Sequence, residues 1–133
     1  MIKKALESRI LVLDGAMGTA IQNLNLNEDD FGGAELEGCN ENLVLTRPEL
    51  IEKIHDQYFE AGCDIAETNT FGATPLVLGE YGLSHLAEKI NLEAARIARA
   101  SAKKYSTPER PKFVAGSIGP TTKAISVTGG IRF

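Results

Sequence analysis

Three short apolar runs punctuate the chain: Ile10-Leu11-Val12-Leu13, Asp64-Ile65-Ala66-Glu67 and Lys112-Phe113-Val114-Ala115. Each gives way at once to small and polar residues: Asp14-Gly15, Thr68-Asn69-Thr70 and Gly116-Ser117-Ile118-Gly119-Pro120. Runs bounded in this way have the pattern of strands buried in a parallel sheet. The stretches between them are long enough for helices, so the sequence predicts a βαβαβ alternation.

Two long helices are predicted between the runs. Thr46-Arg47-Pro48-Glu49 has the form of a capping box, with proline in the first turn where its missing N–H costs nothing. Leu50, Ile51, Ile54 and Tyr58 then recur at helical spacing until Gly62, which predicts a helix over 48–61. A second helix is predicted to start after Ser84 as N-cap and to run to about Tyr105, with Leu86, Ile90, Ala94, Ile97 and Ser101 facing inward. A shorter helix is expected over 74–81, ended by Gly82, and residues 23–46 read as a long irregular excursion.

The fold class is therefore α/β. Three parallel strands are few for a core, and no helix pattern follows the third. A complete (β/α)8 TIM barrel takes ~250 residues. The pattern fits the first three βα units of such a barrel, incomplete in this chain, better than a small open sheet.

Composition narrows the class further. The chain has 133 residues and a net charge of −4, and 43% of its residues are hydrophobic, enough for a core. The acidic balance argues against a nucleic-acid partner. No apolar run approaches the ~20 residues of a membrane span. Met1-Ile2-Lys3-Lys4 has the charge of a signal peptide's start, but the apolar run after it ends at Asp14. With only Cys39 and Cys63, a disulfide framework is excluded, and a cytoplasmic location is expected.

Candidate chemistry gathers where the predicted strands end, the face on which barrel sites form. Asp14 stands after four apolar residues and before Gly15; its carboxylate suits a substrate ammonium, and equally an Asx turn or a helix cap for residues 16–22. Glu67, Thr68, Asn69, Thr70 and Phe71 follow the second run, more polar groups than a turn needs. Alternation sends Glu67 and Asn69 to one face and Thr68 and Thr70 to the other. The third loop holds Ser117 and Gly119, and the run from Gly116 to Lys123 resembles a phosphate loop but has Thr122 where glycine should precede the lysine. Gly129-Gly130 reads as a flexible turn.

For metal binding the chain offers only Cys39, Cys63, His55 and His85, scattered along the sequence and read as structural residues. No histidine lies near a strand end, so no nucleophile–base pair is expected and no catalytic residue is assigned.

Four stretches in register carry a family resemblance. Leu13-Asp14-Gly15-Ala16-Met17-Gly18-Thr19 resembles the opening signature of homocysteine S-methyltransferase domains. Asn42-Leu43-Val44-Leu45-Thr46-Arg47-Pro48, the run from Tyr58 to Phe71, and Val114-Ala115-Gly116-Ser117-Ile118-Gly119-Pro120-Thr121 agree in order and spacing. Within that family the chain most resembles the N-terminal homocysteine-binding module of cobalamin-dependent methionine synthases.

The resemblance implies a (β/α)8 barrel in which zinc holds the homocysteine sulfur as a thiolate that accepts a methyl group, in the large enzymes from methylcobalamin. It implies that Asp14 engages the homocysteine amino group, that Gly15 and Gly18 shape the loop around the substrate, and that Glu67, Thr68, Asn69 and Phe71 form a wall of the same pocket. The family's zinc cysteines come from later strands, and neither Cys39 nor Cys63 matches them. Zinc and cobalamin are thus implied for a complete parent enzyme, and no metal or cofactor is expected in this chain.

Residues 1–133 are accordingly expected to form the N-terminal portion of a homocysteine-binding domain, a fragment inactive alone, with homocysteine as the parent's substrate. A short S-methylmethionine- or betaine-dependent homocysteine methyltransferase and a non-catalytic small-ligand-binding α/β module are the alternatives. Open sheet edges should favour self-association.

Overall fold

A computed structural model describes residues 2–121 of the chain. Helix α1 (Ile2–Ser8), which the sequence pattern did not predict, is followed by α2 (Met17–Gln22), α3 (Glu28–Phe31), α4 (Leu43–Thr46) and α5 (Pro48–Ala61). Strand β1 (Ile65–Glu67), α6 (Pro75–Leu78), α7 (Ala87–Tyr105) and β2 (Phe113–Ala115) complete the order. The Gly129-Gly130 turn and the Thr122-Lys123 end of the third loop lie outside the described residues.

β1 and β2 pair in parallel, Ile65 opposite Phe113 and Glu67 opposite Ala115. The first expected strand is reduced to one parallel bridge, Leu13 to Ile65, flanked by the Asp64 and Ile65 amides donating to the Val12 carbonyl. It is not buried as expected: Ile10 is 89% exposed and Val12 and Leu13 about half exposed (54% and 48%). A segment with a partner on one side and water on the other makes a short ladder. The parallel α/β arrangement is present; among the described residues two regular strands are paired, and the first expected strand is present as a single bridge.

The helix over 48–61 forms as expected, but its start is built differently. Thr46 ends α4 and donates its hydroxyl to the Asn42 carbonyl, so it does not cap α5. Arg47 (φ −139°) is the corner between the two helices, and its Nε donates to Glu49, occupying the group that a capping box would use. Gly62, in the left-handed region at φ 110°, ends α5. Ser84 is likewise no cap: its hydroxyl donates to the Pro75 carbonyl (2.7 Å), and residues Ser84–Leu86 form a 3-10 turn before α7. Thr74 caps α6, accepting from the Val77 amide. The excursion over 23–46 is more ordered than expected, because Asn27 and Asp30 form a reciprocal capping box that starts α3.

α5 lies against α7, and both cover the sheet. Ile51, Ile54, Ile90 and Ala94 meet Leu43 and Leu78 in the larger core, while Phe59, Cys63, Ala66 and Ala102 form a second cluster beside β2. His55 is fully buried on α5, and neither ring nitrogen has a hydrogen-bond partner among the described residues. At the opposite end of the sheet from the polar loops, the buried Asp64 accepts from Arg9 (2.7 Å) and from the Val12 amide (3.0 Å), with Arg110 and Lys112 at 3.5 and 3.8 Å. One carboxylate thereby ties together the chain before Leu13, β1 and the approach to β2. Burial would raise its carboxyl, but the Arg9 and Val12 bonds and the neighbouring cations hold it down at about 2.

Candidate functional site

The residues that end the sheet converge on one cleft of about 260 Å³. Its walls hold the seven residues that the resemblance assigns to the pocket, Asp14, Gly15, Gly18, Glu67, Thr68, Asn69 and Phe71, with Ser117 of the third loop and with Ala16, Met17, Asn40 and Glu41; Thr70 and Gly119, also singled out from sequence, do not line it. A wider cavity of about 430 Å³ shares only Asn40 with it and receives none of the strand-end residues.

Asp14 is held at both ends. Its N–H donates to the Ile65 carbonyl (2.9 Å), and its Oδ1 accepts from the Glu67 amide (3.0 Å). It caps no helix: α2 begins after Ala16, which has no side-chain cap and sits in the left-handed region at φ 41°. That conformation costs a non-glycine residue roughly 1–2 kcal/mol, and here it turns the chain sharply along the rim of the cleft. Burial pushes the Asp14 carboxyl up to about 6; the Glu67 amide pulls against the rise and the Glu67 charge adds to it.

Among the described residues, no atom beyond the adjoining backbone lies within 4 Å of where a Cβ would stand at Gly15 or Gly18, so the packing of these residues does not require glycine at either position. Thr68 lines the cleft, but its hydrogen-bonding capacity is used within the protein. Thr70 donates to the Ser117 carbonyl (2.8 Å), Thr68 and Thr70 share a bond of 2.7 Å, and the Ser117 amide donates to Thr68 (3.1 Å). Asn69 donates to the Asn40 carbonyl (2.8 Å). Phe71 is 60% exposed at the rim, a ring available to the methylenes of a ligand. Behind it, Gly119 donates to the Phe71 carbonyl (2.8 Å), and any Cβ there would stand 2.6 Å from that oxygen.

Asn40 and Glu41 were not legible as site residues, because they reach the cleft through tertiary packing rather than from a strand end. Among the described residues, the lining contains three carboxylates, Asp14, Glu41 and Glu67, and no Lys, Arg or His. Such a cleft attracts a cationic group and repels a simple anion.

The zinc that the resemblance implies does not fit the described residues. No three His, Cys, Asp or Glu side chains among them are grouped to hold a metal. Burial pushes the Cys63 thiol up to about 11 and raises that of Cys39, the opposite of what a metal-bound thiolate requires. Among the described residues, no helix is long and apolar enough to cross a membrane.

The family model described as homocysteine S-methyltransferase matches residues 11–132. Two crystal structures of the homocysteine methyltransferase MmuM from Escherichia coli are similar to the chain. The metallated form has a TM-score of 0.72 at 27% identity, over 90% of this chain and 41% of that one. The oxidised form has a TM-score of 0.71 at 27% identity, over 96% of this chain and 45% of that one. The chain thus spans less than half the length of these solved structures.

Proposed function

The chain belongs to the homocysteine S-methyltransferase family, and from that premise we propose that its cleft is the amino-acid end of a homocysteine site. The observation that carries this reading is the Asp14 carboxylate, positioned by the Glu67 amide in a cleft whose described lining holds two further carboxylates and no basic side chain. A substrate ammonium would meet Asp14, with Glu67 adding negative potential. Gly15 and Gly18 leave room for the bound molecule, Phe71 covers its methylenes, and Thr68 and Asn69 complete the wall.

Within this reading, residues 1–133 are the N-terminal portion of a homocysteine-binding domain of the methionine synthase type, acting in the cytoplasm. The activity of the whole protein is methyl transfer to the homocysteine sulfur. The groups that activate the sulfur and deliver the methyl are not supplied by the described residues, so this chain's part is to bind and orient the amino-acid end. The exposed side of the Ile10–Leu13 segment and the outer side of β2 are where the chain would associate with itself or with further strands.

An NMR titration of the full chain with L-homocysteine tests the proposal. Shifts should concentrate at Asp14–Gly18, Glu67–Phe71 and Ser117. Shifts confined to the wider cavity around Ile21, Leu26 and Phe31, or no shifts at millimolar ligand, would refute it.

A further inference from the structure

We propose that Glu41 is a positioning residue for the cleft, holding the loop after β1 so that Asn69 and Phe71 stand where a ligand meets them. The inference rests on reading the cleft as an amino-acid site. Oε1 of Glu41 accepts a hydrogen bond from the Gly72 amide at 2.7 Å. The residue before it, Asn40, accepts from the Asn69 side chain at 2.8 Å. Two adjacent residues therefore grip the loop on either side of Phe71, the exposed ring of the cleft.

The grip has a firm base. Residues Asn40–Asn42 form a 3-10 turn that runs directly into α4, whose Leu43 and Val44 are buried in the larger core. It also has a steric requirement. Gly72 is buried, and a Cβ there would stand 2.9 Å from Glu41 Oε1 and 3.2 Å from Val77 Cγ1. The bare glycine lets the carboxylate reach the amide. Any larger residue would displace the far end of Glu41 and open the same bond from the other side.

Glu41 also carries one of the three negative charges of the cleft, so position and charge must be separated. A carboxamide does this, because glutamine keeps an oxygen that can accept from Gly72 and removes the charge. The test uses the full chain and the variants Glu41→Ala, Glu41→Gln and Gly72→Ala. The readouts are amide hydrogen exchange at Gly72 and L-homocysteine affinity by NMR titration, with a thermal melt to verify folding. Glu41→Ala and Gly72→Ala should each speed Gly72 exchange and weaken binding roughly tenfold, as expected when binding groups are misplaced. Glu41→Gln should restore both towards wild type. A Glu41→Gln variant as weak as Glu41→Ala would show that Glu41 acts by charge, and unchanged Gly72 exchange in Glu41→Ala would show that there is no grip. If the wild type shows no response to homocysteine, the proposed function fails, while Gly72 exchange still decides for or against the grip. If Glu41→Ala does not fold, Gly72→Ala against Glu41→Gln decides in the same way.

Discussion

The backbone amide of Glu67 donates to Oδ1 of Asp14 across 3.0 Å, while the Glu67 carboxylate lines the same cleft. The hydrogen bond fixes the Asp14 carboxylate, while burial, with the Glu67 charge adding to it, raises its carboxyl. With the Asp14 carboxyl pushed up to about 6, an ammonium ligand must bind the ionised form and hold it ionised. Homocysteine affinity should therefore be level between about pH 7 and 8, where the ligand's amino group is still an ammonium, and fall up to about tenfold per pH unit below 6. Titrations at pH 7.5, 6 and 5 check this, and in Asp14→Asn the dependence should vanish.

Gly18 lies within α2, where alanine is the better helix former by about 1 kcal/mol, and none of the described residues packed around it obstructs a Cβ there. Gly18→Ala should therefore hold or raise stability by up to about 1 kcal/mol in urea while weakening homocysteine binding. A variant both more stable and equally tight would remove Gly18 from the site.

Asp64 supports the other end of the sheet. Breaking a buried ion pair costs about 3–5 kcal/mol, and Asp64→Asn leaves Arg9 and Lys112 facing a neutral group. A loss of this size in urea melts is expected. Because the folded carboxyl is held at about 2, below its ordinary 3.8, its stabilisation is present above about pH 4 and is lost as pH falls towards 2.

His55 has the same direction of pH dependence in a different window. Burial lowers its imidazole from 6.5 to about 4, a gap of about 3 kcal/mol, so the unfolded chain takes up a proton first. Its penalty is absent above pH 6.5 and grows as pH falls to about 4. Asp14 opposes it, since a raised carboxyl favours the folded state as pH falls. Comparing His55→Leu with wild type isolates the histidine: the variant should gain relative stability from pH 7 to pH 4.5.

The sequence made the long helices legible because their signals are local. Pro48 and the apolar spacing lie within α5 and Gly62 directly after it, and its bounds follow from them. The caps at Thr46 and Ser84 misled because each hydroxyl is taken by a carbonyl behind it, Thr46 by Asn42 one helical turn back and Ser84 by Pro75 at the start of α6. Asn27 and Asp30 carried a capping signal at the right spacing that the many glycines of the excursion obscured. The strand ends pointed to the cleft, since a sheet brings its loops to one face. Asn40 and Glu41 were invisible, because only the packing of α4 carries them there.

The most direct measurement compares L-homocysteine with 4-mercaptobutanoic acid, which lacks only the amino group, on wild type and Asp14→Asn at pH 7.5. A charge-assisted hydrogen bond contributes about 1.5–3 kcal/mol, so wild type should prefer homocysteine by at least about tenfold. Asp14→Asn should lose that preference while its urea midpoint stays at or above that of wild type. An equal preference in both proteins would contradict the role assigned to Asp14 and return its carboxylate to shaping the turn at Gly15.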